Sequence, residues 1–226
     1  MNHLRSTLAI ATTVVLGLVT TVGPADATVK SDVAAAKAAL ARATTKAAAG
    51  DVAGTTTALA AVRSHAKKAN TGAQALIGAP PTDPESDDVP GPPAVTAALK
   101  LDAAIVTAVV PLYGRGRARL VKALNTTLTA AQKSRLPMLK QVAALPPEGD
   151  GADYADGMAD MLAIFTKEVK VLTTGLQGAP ATGSAHTGLK QALARAKQAN
   201  AIATRAWGGG ERPVSRSART WTAPAA

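Results

Sequence analysis

The sequence has no cysteine, three histidines and five aromatic residues among its 226 positions. Without a thiol, the chain has no disulfide, no Cys-ligated metal centre, no Cys nucleophile and no Cys-linked lipid anchor. One of the three histidines is His3, so metal sites and acid–base relays built on histidine are close to excluded. No nucleophile elbow, zinc-protease run, P-loop or dinucleotide fingerprint occurs. We therefore predict a non-enzymatic protein with no catalytic residue, no cofactor and no metal.

Alanine supplies 53 of the 226 residues, and no stretch alternates between apolar and polar side chains as a half-buried strand does. Small aliphatic residues of this kind favour helices over sheets. The chain is long enough to bury a core of its own. We predict an all-α fold, an antiparallel bundle of five to six helices in one domain that covers residues 28–207.

The first 27 residues have the organisation of a bacterial secretory signal peptide. Arg5 precedes an uncharged, mostly apolar stretch over residues 6–23, and Ala25-Asp26-Ala27 is a small-x-small cleavage signature. An uncleaved membrane anchor is the alternative, because about 18 apolar residues can just span a bilayer. We expect cleavage after Ala27 and a mature protein outside the cytoplasm. We expect no membrane span in that mature protein, since its next apolar run, residues 105–112, is too short.

Apolar residues recur at helical spacing through most of the mature chain and predict its helices. The predicted helices cover residues 31–49, 51–77, 94–110, 129–144 and 184–207, with one more along the stripe from Tyr154 to Leu176. The third of these is interrupted at Pro111 and Gly114 and resumes as a shorter helix over residues 115–125. Thr129 is expected to cap its helix, with Gln132 reaching back to the Thr129 amide, and a kink or break is expected at Pro137. An acidic proline-rich loop is predicted over residues 78–93, and a disordered basic tail over residues 208–226.

Basic residues outnumber acidic ones by 25 to 15, which gives a net charge of +10. They are densest beside Tyr113 and again in the tail, and such clusters attract polyanions by salt-sensitive forces. A basic surface that selects no partner is the competing interpretation. The predicted polyanion-binding residues are Arg115, Arg117, Arg119, Lys122, Arg212, Arg216 and Arg219. No motif for specific nucleic-acid recognition is present, so we expect an anionic envelope polymer or an exported protein as the partner. The sequence leaves the oligomeric state open.

The string from Leu128 to Gln132, Leu-Thr-x-x-Gln, is similar to the short signature of the Spy/CpxP group of envelope-stress chaperones. Members of that group are exported, basic, all-helical proteins without enzymatic activity. The resemblance covers five residues. That group carries the signature twice, whereas residues 172–177, the nearest second candidate here, have different spacing. The resemblance implies a chaperone-like activity and transfers no site residue.

Three functions follow as hypotheses. The first is an exported, non-enzymatic protein that associates with the cell envelope or a protein partner through its basic surface. The second is a chaperone-like protein that shields apolar segments of exported clients. The third is a small-ligand carrier with a pocket lined by Met158, Met161 and Phe165, although a Met and aromatic stripe at helical spacing is more often plain core.

Overall fold

The computed structural model describes residues 24–79, 91–115, 118–145 and 150–207, and it is all-α, as predicted. These residues contain six α-helices, one short 3-10 helix and no strand. The helices are α1 (Pro24–Ala48), α2 (Val52–Ala75), α3 (Gly91–Val109), α4 (Ala118–Ala143), α5 (Asp150–Gln177) and α6 (Ser184–Trp207), with the 3-10 helix at Val110–Arg115 between α3 and α4.

The helices form because apolar residues return at alternating steps of three and four, the spacing of a coiled-coil seam. In α1 the buried seam consists of Val29, Val33, Ala36, Leu40, Ala43 and Ala47. In α5 the seam consists of Tyr154, Met158, Met161, Phe165, Glu168 and Leu172. Between these seams the side chains are mostly exposed or half-buried, so burial of one stripe stabilises each helix.

The bundle consists of three helical hairpins, α1–α2, α3–α4 and α5–α6, placed side by side. Helices α1, α3 and α5 form one layer, and α2, α4 and α6 form the other. Within the first layer α3 and α5 run parallel, since Thr96 lies against Gly157 near their starts and Val110 lies against Gly175 near their ends. A Cβ at either glycine would collide with that neighbour, so glycine permits the close approach.

All three hairpin tips lie at one end of the bundle. Gly50, with a φ of 74°, turns the chain between α1 and α2. The 3-10 helix forms the second tip, and residues 178–183 form the third. We call this end the tip end. The first and last described residues, Pro24 and Trp207, lie at the opposite end.

Several predicted boundaries were wrong. Helix α4 is one continuous helix from Ala118, not two segments separated near residues 125–129, and it continues through Pro137. Thr126 and Thr127 donate to the carbonyls four residues earlier, so their hydroxyl groups are satisfied inside the helix. Helix α3 begins at Gly91, inside the predicted loop, because proline is tolerated in a first helical turn. The rest of that loop, residues 80–90, and the tail lie outside the described residues.

Helix α1 begins at Pro24, seven residues before the predicted start. Asp26 is buried and its carboxylate pairs with Lys30 at 2.8 Å, so the residues around the predicted cleavage site are helical in the full chain. Secretion and cleavage after Ala27 stay predictions.

Among the described residues, one helical stretch is long and apolar enough to cross a membrane by length and composition. It spans Gly91–Gly114, and 61% of its most apolar window is buried inside the bundle. Its helix, α3, packs against α1, α2, α4 and α5. The stretch therefore has the surroundings of a core helix, and it is longer than the eight-residue run that the sequence analysis singled out.

Candidate functional site

A half-enclosed groove of about 1090 Å³ lies at the tip end, between the second and third hairpin tips. Its walls come from the end of α3, the 3-10 helix and the start of α4 on one side. The last turns of α5 and the connection into α6 form the other side. The lining residues are Val110, Pro111, Tyr113, Gly114, Ala118, Val121, Lys167, Lys170, Val171, Thr174, Gly175, Gly178, Ala179, Pro180, Thr182, Ser184 and Ala185.

A chain of hydrogen bonds fixes the groove beside Tyr113. The buried Tyr113 hydroxyl donates to Oδ1 of Asn125 at 2.6 Å, and Nδ2 of Asn125 donates to the Ser184 carbonyl at 2.9 Å. Gly188 lies directly against Asn125, and a Cβ there would overlap the amide. Burial raises the pKa of Tyr113, so its hydroxyl keeps its proton and stays a donor. These bonds tie the second tip to the start of α6 and hold the groove open in one shape.

The groove has an apolar interior and a positive rim. Val110, Val121 and Val171 contribute apolar surface, while Lys167 and Lys170 are exposed. The described residues that line the groove include no Asp or Glu, and Lys122, which follows the lining residue Val121, is also exposed. The arrangement can hold an apolar group inside and a negative charge at the edge.

A second unusual feature is an ion pair inside the bundle. Arg135 on α4 is fully buried and Glu168 on α5 is 1% exposed. Two guanidinium nitrogens of Arg135 donate to the two carboxylate oxygens of Glu168, at 2.5 and 2.8 Å. The Arg135 guanidinium also lies 5.2 Å from the centre of the Phe165 ring, on the same helix as Glu168. The bidentate geometry compensates for part of the cost of burying both charges.

Polar side chains of α4 and α6 extend this pair. Nε2 of Gln132 donates to Glu168 at 3.1 Å and to the Ala192 carbonyl at 2.9 Å. Arg195 of α6 donates to Gln132 and to the Thr129 hydroxyl, each at 3.1 Å. Thr129 and Gln132 therefore join α4 to its neighbours from the middle of the helix, and the predicted capping role for them was wrong.

On the other side of α4, the carboxyl group of Asp102 is buried beside the side-chain amide of Asn70. Nδ2 of Asn70 donates to Asp102 at 2.9 Å and to Ser134 at 2.6 Å. Oδ1 of Asp102 has no hydrogen-bond partner among the described atoms. Burial raises the pKa of Asp102 from 3.8 to about 8, and the positive charge of Arg135 opposes only part of that rise. Asp102 is therefore largely protonated at neutral pH.

None of these buried polar residues lines the groove, and each lies at a packed helix interface. Asp102, Arg135 and Glu168 were not among the predicted functional residues. The available signal was spacing, because Asp102, Arg135 and Glu168 each occupy a position where the apolar seam of its helix should continue. Within the described ranges, no three His, Asp or Glu side chains are grouped so that they could hold a metal ion.

The predicted basic patch is described only in part. Arg119 and Lys122 are exposed on α4, whereas the side chains of Arg115 and Arg117 and the whole of the tail with Arg212, Arg216 and Arg219 lie outside the described set. Tyr113, expected beside the patch, is buried.

Positive charge extends well beyond that patch. Sixteen Lys and Arg residues are exposed among the described side chains, and Asp160 is the single exposed acid there. The other described acids are buried or half-buried. The exposed cations lie on all six helices: Lys30, Lys37, Arg42, Lys46, Lys67, Lys68, Lys100, Arg119, Lys122, Lys133, Lys140, Lys167, Lys170, Lys190, Lys197 and Arg205.

The two described histidines differ in their surroundings. His65 is partly exposed, and its Nδ1 contacts Asp32 of α1 at 2.8 Å. His186 is half-buried, and its Nδ1 has no hydrogen-bond partner among the described atoms.

The Met and aromatic stripe of α5 is core. Met158, Met161 and Phe165 are at most 1% exposed, and none of them lines the groove. The groove is lined by a later part of α5, from Lys167 to Gly175, so the carrier hypothesis with these three lining residues gains no support from it.

Comparison of the chain with protein-family models, with curated proteins and with solved structures finds no match.

Proposed function

We propose that this protein is an exported, non-enzymatic binding protein that associates with an anionic polymer of the cell envelope through its basic surface. The observation that carries the proposal is the sixteen-to-one excess of exposed cations over exposed acids among the described side chains. Ion pairs with described acids involve only two of those cations, Lys30 and Lys46. The other exposed cations make no ion pair with the described acids, and their charge can attract a polyanion.

The described part of the surface is basic partly because the fold buries three of the six described acids. Asp102 and Glu168 are buried at the centre of the bundle, and Asp26 is buried at the start of α1. Their burial leaves the outside more basic than the composition alone indicates. A field of this kind raises the association rate and falls off with ionic strength.

The cations are spread over both layers, so we expect binding to depend on their number more than on any one of them. Each contact with a flexible polymer is weak and screened by salt, and affinity arises from many contacts together. This differs from a specific site, where one or two substitutions remove binding.

The test measures binding of the full chain to purified cell wall that carries teichoic acid, and to soluble inorganic polyphosphate, over a series of salt concentrations. One variant carries Lys37→Gln, Arg42→Gln and Lys67→Gln on the first hairpin. A second carries Lys133→Gln, Lys140→Gln and Lys197→Gln on α4 and α6. We expect both variants to lose affinity similarly and to show a shallower dependence of log affinity on log salt.

The matched control introduces Gln without removing charge, as Ala38→Gln, Ala48→Gln and Ala75→Gln at exposed positions of α1 and α2. It should bind as the original chain does. A chain that ends at Trp207 measures what the predicted tail adds. Binding that is absent or insensitive to salt would contradict the proposal, as would a loss confined to one of the two charge variants.

Export is part of this proposal and has its own test. If the leader is removed as predicted, the protein recovered from the medium or envelope fraction starts at Thr28, which sequencing of its N-terminus will show. The chaperone-like alternative stays a prediction, and suppression of client aggregation by the same protein sample is its measurement.

A further inference from the structure

The groove at the tip end has a chemistry that the basic surface does not explain. Binding of a hydrophilic polymer through dispersed surface charges does not require an apolar cavity of about 1090 Å³. A volume of this size lies at the upper end of the range for ligand pockets, which is roughly 300–1,000 Å³. Val110, Val121, Val171 and Ala179 supply the apolar surface that such a pocket needs.

The charge at the rim selects among apolar ligands. Lys167 and Lys170 line the groove, both are exposed, and neither makes an ion pair with a described acid. Because none of the described lining residues carries a carboxylate, a cationic headgroup would meet the two ammonium groups there without a counter-charge from those residues and would be repelled. A carboxylate at the rim would instead lie near both lysines while its chain remains inside.

The N-terminal and C-terminal segments join the bundle at Pro24 and Trp207, and both of these residues lie at the end opposite the tips. Helix α6 alone has 24 residues, which separates that end from the groove by about 36 Å at 1.5 Å per residue. The 19 residues after Trp207 can span that distance when extended, at about 3.3 Å per residue, so the charge of the rim and not this separation is the argument for a ligand from solution.

We infer that the groove binds a long-chain fatty acid, with the alkyl chain inside and the carboxylate between Lys167 and Lys170. The Tyr113–Asn125–Ser184 hydrogen bonds keep the two walls in position before the ligand arrives, which lowers the cost of ordering them. This inference goes beyond the proposed function and does not depend on it.

The first experiment compares three compounds by calorimetric titration of the full chain. Laurate carries both the alkyl chain and the carboxylate, dodecyltrimethylammonium carries the chain with the opposite charge, and butyrate carries the carboxylate with little chain. We expect laurate to bind, the cationic compound to bind at least about tenfold more weakly, and butyrate not to bind. Equal binding of the two long-chain compounds would overturn the role of the lysines, and no binding of laurate would overturn the site.

The location of the ligand is read from methyl resonances. Val110, Val121 and Val171 line the groove, whereas Val29 and Val62 belong to the core of the first hairpin. Laurate should shift the first three signals and leave the other two unchanged. Shifts confined to the first hairpin would place the ligand elsewhere and contradict the inference.

Two variants separate the alkyl chain from the charge. Thr174→Trp fills the groove and should abolish laurate binding, while Thr166→Trp, exposed on the same helix outside the groove, should leave it intact.

Lys167→Gln with Lys170→Gln should weaken laurate binding about tenfold, while Lys190→Gln with Lys197→Gln on α6 should not. If the control pair weakens laurate as much as the groove pair does, general charge and not the rim holds the carboxylate.

The same variants distinguish this inference from the proposed function. Thr174→Trp removes no charge, so it should leave the binding to cell wall and polyphosphate unchanged. A protein that binds wall but not laurate refutes only the groove, and one that binds laurate but not wall refutes only the basic-surface proposal.

Discussion

The first hairpin and the centre of the bundle are held together by opposite means. Half of the buried side chains of α1 and α2 are alanine, so the two helices can approach closely and pack extensively. Helices α4 and α5 are not close neighbours, and the long side chains of Arg135 and Glu168 bridge the space between them. Small residues close one interface, and large charged residues fill another.

The comparison shows that the two interfaces should respond differently to change. An alanine interface tolerates no additional volume, because there is no space between the helices. A buried ion pair tolerates changes of volume better than the loss of one partner, because the remaining charge is then left without compensation. Each of the following variants tests one side of this difference.

The largest expected effect comes from Glu168→Ala. It leaves the fully buried Arg135 without its counter-ion, and we expect a loss of about 3–5 kcal/mol of unfolding free energy, measured by urea denaturation. Replacing both partners by Met should recover much of that loss, because no charge then remains buried. Asp160→Ala, at an exposed position on the same helix, is the control and should change stability by less than about 0.5 kcal/mol. A double variant as unstable as the single one would contradict the interpretation.

The next effect depends on pH and concerns Asp102. Its pKa is about 8 in the folded chain, against 3.8 without burial, so the folded state holds the proton more tightly than the unfolded state does. Stability should therefore fall as the pH rises from about 4 to about 8 through this group alone. Asp102→Asn keeps an acceptor for Asn70 and does not ionise.

Unfolding midpoints at a series of pH values, for the original chain and for Asp102→Asn, isolate this contribution. The difference between the two chains should grow in favour of the variant as the pH rises through that range. A difference that does not change with pH would show that Asp102 has the same proton affinity in both states.

Overpacking tests the alanine interface. Ala39 is fully buried in the first hairpin, and Ala39→Leu should cost about 1–3 kcal/mol because the helices must separate to admit the larger side chain. Ala38→Leu adds the same volume at the exposed neighbouring position and should change stability by less than about 0.5 kcal/mol. Equal effects at the two positions would show that the interface is looser than the structure indicates.

The smallest effect is expected at the edge of the first hairpin. Asp32 pairs with His65, but the imidazole is about one third exposed, and pairs of this kind contribute less than about 1 kcal/mol. Asp32→Asn should therefore lower the unfolding free energy only slightly at pH 6. A loss comparable to that of Glu168→Ala would mean that this contact, and not the alanine packing, dominates the hairpin.

The sequence predicted the helices wherever an apolar seam was continuous. The bounds of α6 agree with the prediction at both ends, and α2 agrees within a few residues. The all-α class follows from the same pattern. The interruption expected at Pro111 is present as the 3-10 helix between α3 and α4.

The sequence failed where polar residues occupy core positions. The predicted apolar faces of α5 and α3 did not include Glu168 and Asp102, because acidic residues are normally expected on the surface. Thr129 and Gln132 matched a local capping pattern, yet their partners are Glu168, Arg195 and a carbonyl of α6. The burial of these polar residues depends on contacts between residues more than 30 positions apart in the sequence. The spacing of neighbouring residues carries no information about such contacts.

The groove was beyond sequence reasoning for a related reason. Its walls come from two segments that are more than 40 residues apart, and it lies between two hairpin tips. The stripe of Met158, Met161 and Phe165 indicated the correct helix for a cavity but the wrong part of it.

The placement of the three tips gives the molecule two distinct poles. Pro24 and Trp207 both lie at the end opposite the hairpin tips. A molecule attached through either end of its chain therefore has the tip end about one helix length away from the attachment. A molecule attached in this way would expose the opening of the groove to its surroundings, whichever terminus is attached.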